Sequence, residues 1–179
     1  MWIQNVSKFD IIARDYKSPG SNSMLIQILD PDEEFPVPPS EFAEVYQFEF
    51  LDIEGSGYTN LGDGELTDMS EFAITPEQAK QLAKLLLRAR DKKMNVVVHC
   101  YAGIFRSGAV AEVGVLLGFD DVGAFRSPNR LVKHSLMSAL DMKYDPKEPM
   151  TINGEPCSSA KNTIMFKGYR DQIDKKSEK

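Results

Sequence analysis

The sequence predicts a single α/β domain with a central, mostly parallel sheet flanked by helices. Three observations carry that expectation. A chain of 179 residues, 42% hydrophobic and 27% charged, is long enough to bury one sizeable core and short for two catalytic domains. Val96-Val97-Val98 is a run of β-branched residues without alternation, as in a strand covered on both faces, which is the habit of parallel sheets. Strand-like and helix-like patterns then alternate along the chain, as crossover connections between parallel strands require.

Residues 24–29 form the first expected strand, closed by Asp30-Pro31 and followed by a connection rich in proline at Pro36, Pro38 and Pro39. Residues 45–53 form a second, in which Tyr46, Phe48 and Phe50 share one face by the two-residue period and Asp52 comes at the carboxyl end. Residues 54–73, rich in glycine, acidic and hydroxyl residues, read as a long loop of the functional kind. A helix follows, with Thr75 as cap, Pro76 in the first turn, Gln78 completing a capping box, and Ala79, Leu82, Ala83 and Leu86 as its inner stripe to about Lys92 or Lys93. After the valine strand, an apolar stretch from Arg106 to Gly118 predicts a buried central helix. Residues 128–142 predict a last helix, with Ser127 as cap and Leu131, Val132, Ser135, Leu136, Ala139 and Leu140 facing inward. The domain is therefore expected over 1–148. Residues 149–179 form a C-terminal extension with a turn signal at Asn153-Gly154, open to reading as a hairpin, a docked arm or a disordered tail.

A net charge of -6 disfavours a general nucleic-acid or anionic-membrane binder, which needs excess Lys and Arg. The longest apolar runs are a few residues, and the first residues lack a charged segment followed by an apolar one, so neither a membrane span nor a secretory signal is expected. With two cysteines and two histidines, Cys100, Cys157, His99 and His134 fit neither a disulfide framework nor a zinc-finger spacing, and a reducing cytoplasm is the expected setting.

The chemistry concentrates at 99–107, His-Cys-Tyr-Ala-Gly-Ile-Phe-Arg-Ser, directly after the valine strand and at the start of the apolar helix. A strand, a short loop and a helix amino terminus gather backbone N–H groups around one point, which is an anion site. A cysteine at the start of such a loop is favoured as the thiolate, the nucleophilic form. Arg106 supplies a planar fork matched to two phosphate oxygens, and Ser107 a hydroxyl that can donate to the sulfur as it leaves a phosphoenzyme. His99 is expected to orient the loop through hydrogen bonding.

This stretch, with Gly108 after it, resembles the signature loop of the cysteine-dependent protein tyrosine phosphatases, in their compact dual-specificity-like branch. The wider order, from the Leu25-Ile26 strand with Asp30-Pro31 to the Pro128-Asn129 helix, is similar to small predicted phosphatases of bacteria and phages and covers residues 24–142. The departure is Phe105, where such loops often carry a small residue. The resemblance implies the phosphatase fold and metal-independent phosphomonoester hydrolysis through a cysteinyl-phosphate, with no cofactor. Cys100 would be the nucleophile, and Tyr101, Ala102, Gly103, Ile104, Phe105 and Arg106 the phosphate cradle. An aspartate would act as general acid: Asp52, at a strand's carboxyl end, is the expected one, and Asp68, shortly before the Thr75-capped helix, is the alternative. The expected substrate is a phosphorylated protein side chain or small phosphomonoester, because the loop lacks extra Lys or Arg for a polyanion, and Tyr101 and Phe105 are compatible with phosphotyrosine.

Rhodanese-like sulfurtransferases and arsenate reductases also place a cysteine in an anion loop. The former commonly use a shorter loop and the latter need a resolving cysteine, for which only Cys157 is available. A phosphate-binding module without turnover usually lacks the cysteine, the arginine or the acid, and here all three are present.

Overall fold

The computed structural model describes residues 1–54, 58–60, 66–143, 151–152 and 155–156. In chain order these form β1 (Trp2–Ser7), α1 (Lys8–Ala13), β2 (Ser23–Leu29), β3 (Glu44–Glu49), β4 (Tyr58–Asn60), β5 (Leu66–Asp68), a 3₁₀ turn at Ser70–Phe72, α2 (Pro76–Asp91), β6 (Asn95–Cys100), α3 (Arg106–Leu116), β7 (Asp120–Asp121), α4 (Arg130–Ala139), β8 (Thr151–Ile152) and β9 (Glu155–Pro156).

Five strands make one all-parallel sheet in the order β3-β2-β6-β1-β7. Side chains alternate across it, so Ile26, Ile28, Val96 and Val98 pack with Leu82 and Leu86 of α2, Val110 and Val113 of α3, and Val132 and Leu136 of α4 in the main core. Leu25 and Val97 point the other way and join Trp2, Val6, Ile11 of α1 and Phe42. Fully burying each large aliphatic side chain is worth about 1.5–3 kcal/mol, which is why the central strands read as unbroken apolar runs. Tyr46, Phe48 and Phe50 do share the main-core face.

The connection leaving β2 runs toward one edge, to β3, and that leaving β6 runs toward the other, to β7. Chain that departs in opposite directions from two neighbouring strands leaves a crevice beyond their carboxyl ends. Asp30 follows β2 and Cys100 ends β6, so both stand at that crevice.

The expected second strand is shorter in the structure. The ladder ends at Leu29↔Glu49 because β2 itself stops at Asp30-Pro31, and Pro31 has no N–H to offer. Asp52 therefore lies in an irregular segment beyond β3. The last helix is also shorter, and its cap is Asn129 in place of Ser127, with the Asn129 side chain accepting from Val132 N–H at 2.9 Å. Pro128 consequently precedes the helix. The Thr75/Gln78 capping box of α2 is present as expected. Two opening elements, β1 and α1, lie outside those expected from the sequence. In β1 the buried Asn5 interrupts the apolar pattern, and α1 starts from a Ser7/Asp10 capping box.

The chain divides into two compact units, Met1–Pro146 and Lys147–Lys179. In the second, β8 and β9 pair antiparallel, Thr151 with Pro156 and Ile152 with Glu155; the expected turn at Asn153-Gly154 and Cys157 lie outside the described residues.

Candidate active site

The loop 101–105 leaves β6 and enters α3, and its carbonyls are all engaged with the body of the protein except that of Ala102. Tyr101 O accepts from Lys8 N–H (3.2 Å), Gly103 O from Asn5 Nδ2 (2.7 Å), Ile104 O from Ser127 N–H (3.3 Å), and Phe105 O from Asn129 N–H (3.1 Å) and Ala109 N–H (2.9 Å). The N–H groups of Ala102, Gly103 and Ile104 donate to no protein acceptor among the described residues. A loop whose carbonyls turn outward presents its amides on the opposite side, as an anion-binding nest. The first turn of α3 adds to it, because Phe105 at the cap position gives no side-chain hydrogen bond and the leading N–H groups have no acceptor within the helix.

Gly103 is what lets the loop sit there. Its φ is +76°, and a Cβ at that position would stand 2.5 Å from Ser7 N and from Val6 C, so only glycine can lie against the end of β1. Asn5, which holds Gly103 from beneath, is oriented in turn by Arg126 Nη1 at 3.4 Å, and Arg126 is ion-paired with Asp121.

Cys100 is buried at the base of the loop, with Sγ 3.2 Å from Ser107 Oγ. Arg106 is 3% exposed. Its Nη1 donates to Asp30 Oδ1 and to Phe50 O, both at 2.6 Å, while its Nε is buried with no partner. A buried guanidinium with an unanswered edge is costly unless an anion completes it. The arrangement can bind a tetrahedral oxyanion on backbone amides and one arginine edge, at the loop that Cys100 begins.

Asp52 belongs to the same neighbourhood. Its Oδ1 accepts from Asn129 Nδ2 at 2.7 Å, and Arg106 acts on its carboxylate electrostatically. Crowding by surrounding protein, and then the carboxylates of Glu54 and Asp30, push its pKa above the usual value against the pull of Asn129 and Arg106. The side chain is nonetheless exposed, so it combines a disfavoured charge with access to a ligand. Asp68 is exposed at the end of β5, where the Ser70 side chain, and then a 2.9 Å bond from Ser70 N–H, hold its pKa below the usual value within the same turn. The structure thus brings Cys100, Ser107, Arg106 and Asp52 together and leaves Asp68 engaged in its own turn.

His99 is wholly buried, with Nδ1 donating to Cys100 O at 3.3 Å and Nε2 unpartnered. Burial, and then the positive charges of Lys8 and Arg106, lower its pKa to about 4 despite the hydrogen bond. It is therefore neutral in the folded protein near pH 7 and braces the loop through Cys100 O. In the unfolded chain it protonates first as pH falls below about 6.5, so stability is fully present above that and declines toward pH 4. Urea unfolding should show the wild type losing about 2–3 kcal/mol more than His99→Gln between pH 7 and pH 4.5. Equal losses would place the acid sensitivity elsewhere.

Asp30, Asn5, Asn129 and the Phe50 carbonyl are site residues that the motif alone does not reveal. For Asp30 there is a signal, since an Asp-Pro closing a parallel strand stands at the same rim as the end of β6. Among the described residues no group of three His, Cys, Asp or Glu side chains is arranged to hold a metal ion, and no helix is long and apolar enough to cross a membrane. Comparison with protein-family models, with curated proteins and with solved structures finds no match for this chain.

Proposed function

We propose that this chain is a phosphoric monoester hydrolase of the protein tyrosine phosphatase type, acting on phosphorylated protein side chains through a cysteinyl-phosphate. The observation that carries the reading is the unpartnered, buried Nε edge of Arg106 beside the N–H groups of Ala102, Gly103 and Ile104, which donate to no protein acceptor among the described residues, in the loop that follows Cys100. In the first step the thiolate of Cys100 attacks phosphorus while the P–O bond to the leaving group breaks, and Asp52 gives that oxygen its proton. The loop amides and Arg106 hold the three equatorial oxygens as their charge grows. In the second step Asp52, now ionised, takes a proton from water, which attacks phosphorus. The P–S bond then breaks with Ser107 Oγ–H donating to the departing sulfur. His99 acts on none of these atoms and serves the loop's shape.

Tyr101, 38% exposed, meets the ring of Phe9 edge-on at 5.6 Å, giving an aromatic rim beside the nucleophile that suits a phenyl phosphate. Lys8, the nearest cation on α1, is paired with Glu33, so polyanionic substrates find little free positive charge there. The protein fold of such phosphatases, a cytoplasmic setting and the absence of any cofactor belong to the same proposal.

The test is turnover of p-nitrophenyl phosphate in the presence of a chelator, with inactivation by iodoacetate and protection by phosphate or vanadate. Loss of activity on chelation, or alkylation that phosphate does not slow, would overturn the reading.

A further inference from the structure

Asn129 is fully buried and every polar group it carries is engaged. Oδ1 accepts from Val132 N–H (2.9 Å), Nδ2 donates to Asp52 Oδ1 (2.7 Å) and to Ile53 O (3.0 Å), the backbone N–H donates to Phe105 O (3.1 Å), and the carbonyl accepts from Lys133 N–H (3.0 Å). The amide cannot be turned over. An N–H and a carbonyl, each with a fixed role, face its two ends, so Nδ2 must point at the 52–53 segment. Glu54 strengthens the docking, with its Oε1 accepting from Arg130 N–H at 2.6 Å on the first residue of α4. One side chain thus ties the aspartate's segment to the helix start, while its backbone ties the same point to the last residue of the anion loop.

We infer that Asn129 is the positioning residue for Asp52, setting its carboxyl against the loop and deciding which of its oxygens carries the proton. The inference rests on the reading of Asp52 as the general acid. Because Nδ2–H already donates to Oδ1, that oxygen is kept as an acceptor, and a neutral Asp52 holds its proton on Oδ2. The proton then stands on the atom that Asn129 leaves open, toward a leaving group, and after transfer the Asn129 bond favours the ionised form that takes a proton from water. Without that bond the carboxyl is free to rotate, to place its proton on either oxygen and to drift from the loop.

Two variants keep a cap for α4 and remove the donor: Asn129→Ser, whose hydroxyl can cap, and Asn129→Asp, which keeps an acceptor and adds a like charge. Both should lower kcat on phosphotyrosine by roughly 10- to 100-fold, part of the 10²–10⁴ that general acid catalysis supplies. Both should slow p-nitrophenyl phosphate, whose leaving group needs no acid, by less than about 3-fold. The alkaline limb of kcat should move to higher pH in each, since loss of the donor disfavours ionised Asp52. A purely structural role would lower thermal stability while leaving leaving-group dependence and limb in place. In Asp52→Asn the second change should cost almost nothing further. If Asp52→Asn slows phosphotyrosine far more than p-nitrophenyl phosphate and flattens the alkaline limb while both Asn129 variants keep the wild-type contrast and limb, the assignment of Asn129 is overturned and Asp52 stands. If Asp52→Asn itself behaves as wild type, the acid is misassigned and the inference falls with it.

Discussion

Cys100→Ser is expected to reduce turnover below detection, roughly 10⁴-fold or more, while inorganic phosphate still binds with an affinity near that of the wild type. The expectation follows from what the substitution spares. The hydroxyl is close to the thiol in size, Cys100 is already buried against Ser107, and the carbonyls that shape the loop are held by Lys8 N–H, Asn5 Nδ2, Ser127 N–H and Asn129 N–H and not by the sulfur. A hydroxyl is far less acidic than a thiol, so the nucleophile is lost and the cradle remains. Phosphate titration by calorimetry and a p-nitrophenyl phosphate assay on the same sample separate the two. Substantial turnover by the serine variant would falsify the cysteinyl-phosphate route, and lost phosphate binding would show that the sulfur helps to build the cradle.

Arg106→Lys should fail by about 10²- to 10³-fold in kcat/KM, the scale of removing transition-state donors from an oxyanion site. The guanidinium does two things at once. Nη1 bridges Asp30 and the Phe50 carbonyl, which fixes the plane, and Nε remains unpaired for the ligand. An ammonium is a single point and cannot occupy both places, so a lysine either stays with Asp30 or leaves it to reach the anion. Steady-state kinetics with p-nitrophenyl phosphate measures this directly, and near-wild-type values would mean that charge alone suffices.

The residues of this site divide sharply by how far apart in the chain their partners lie. Cys100, Arg106 and Ser107 fall within eight consecutive positions, so a strand, a loop and a helix start are enough to bring them together, and the motif is legible as it stands. The same holds for α2, whose capping box and apolar stripe are local, and for β6, whose valines need no partner to announce burial on both faces. Asp30, Asn5 and Asn129 reach the loop only through the order of the strands, and that order is set by packing of the whole domain. Asn5 had a further disguise. A polar residue in the middle of β1 looks like the end of a strand, whereas its burial is the condition for holding Gly103. Asp52 and Asp68 are both acidic residues ahead of the loop, and only their surroundings, crowded for one and open for the other, distinguish them.

The parallel register in which Ser7 lies beside Cys100 also has a kinetic meaning. β1 is the first strand to be made and β6 the fourth of the sheet to appear, yet the two are neighbours, so the pairing that seats the loop closes one of the longer spans in the domain. Contacts between distant parts of a chain are costly to nucleate and slow folding relative to local ones. Until that pairing forms, Gly103 has no strand end to lie against and Asn5 has no carbonyl to hold. The anion cradle is thus a late product of folding. Phosphate, which binds the cradle only when it is complete, would stabilise the native state by mass action and act as a reporter of the finished fold.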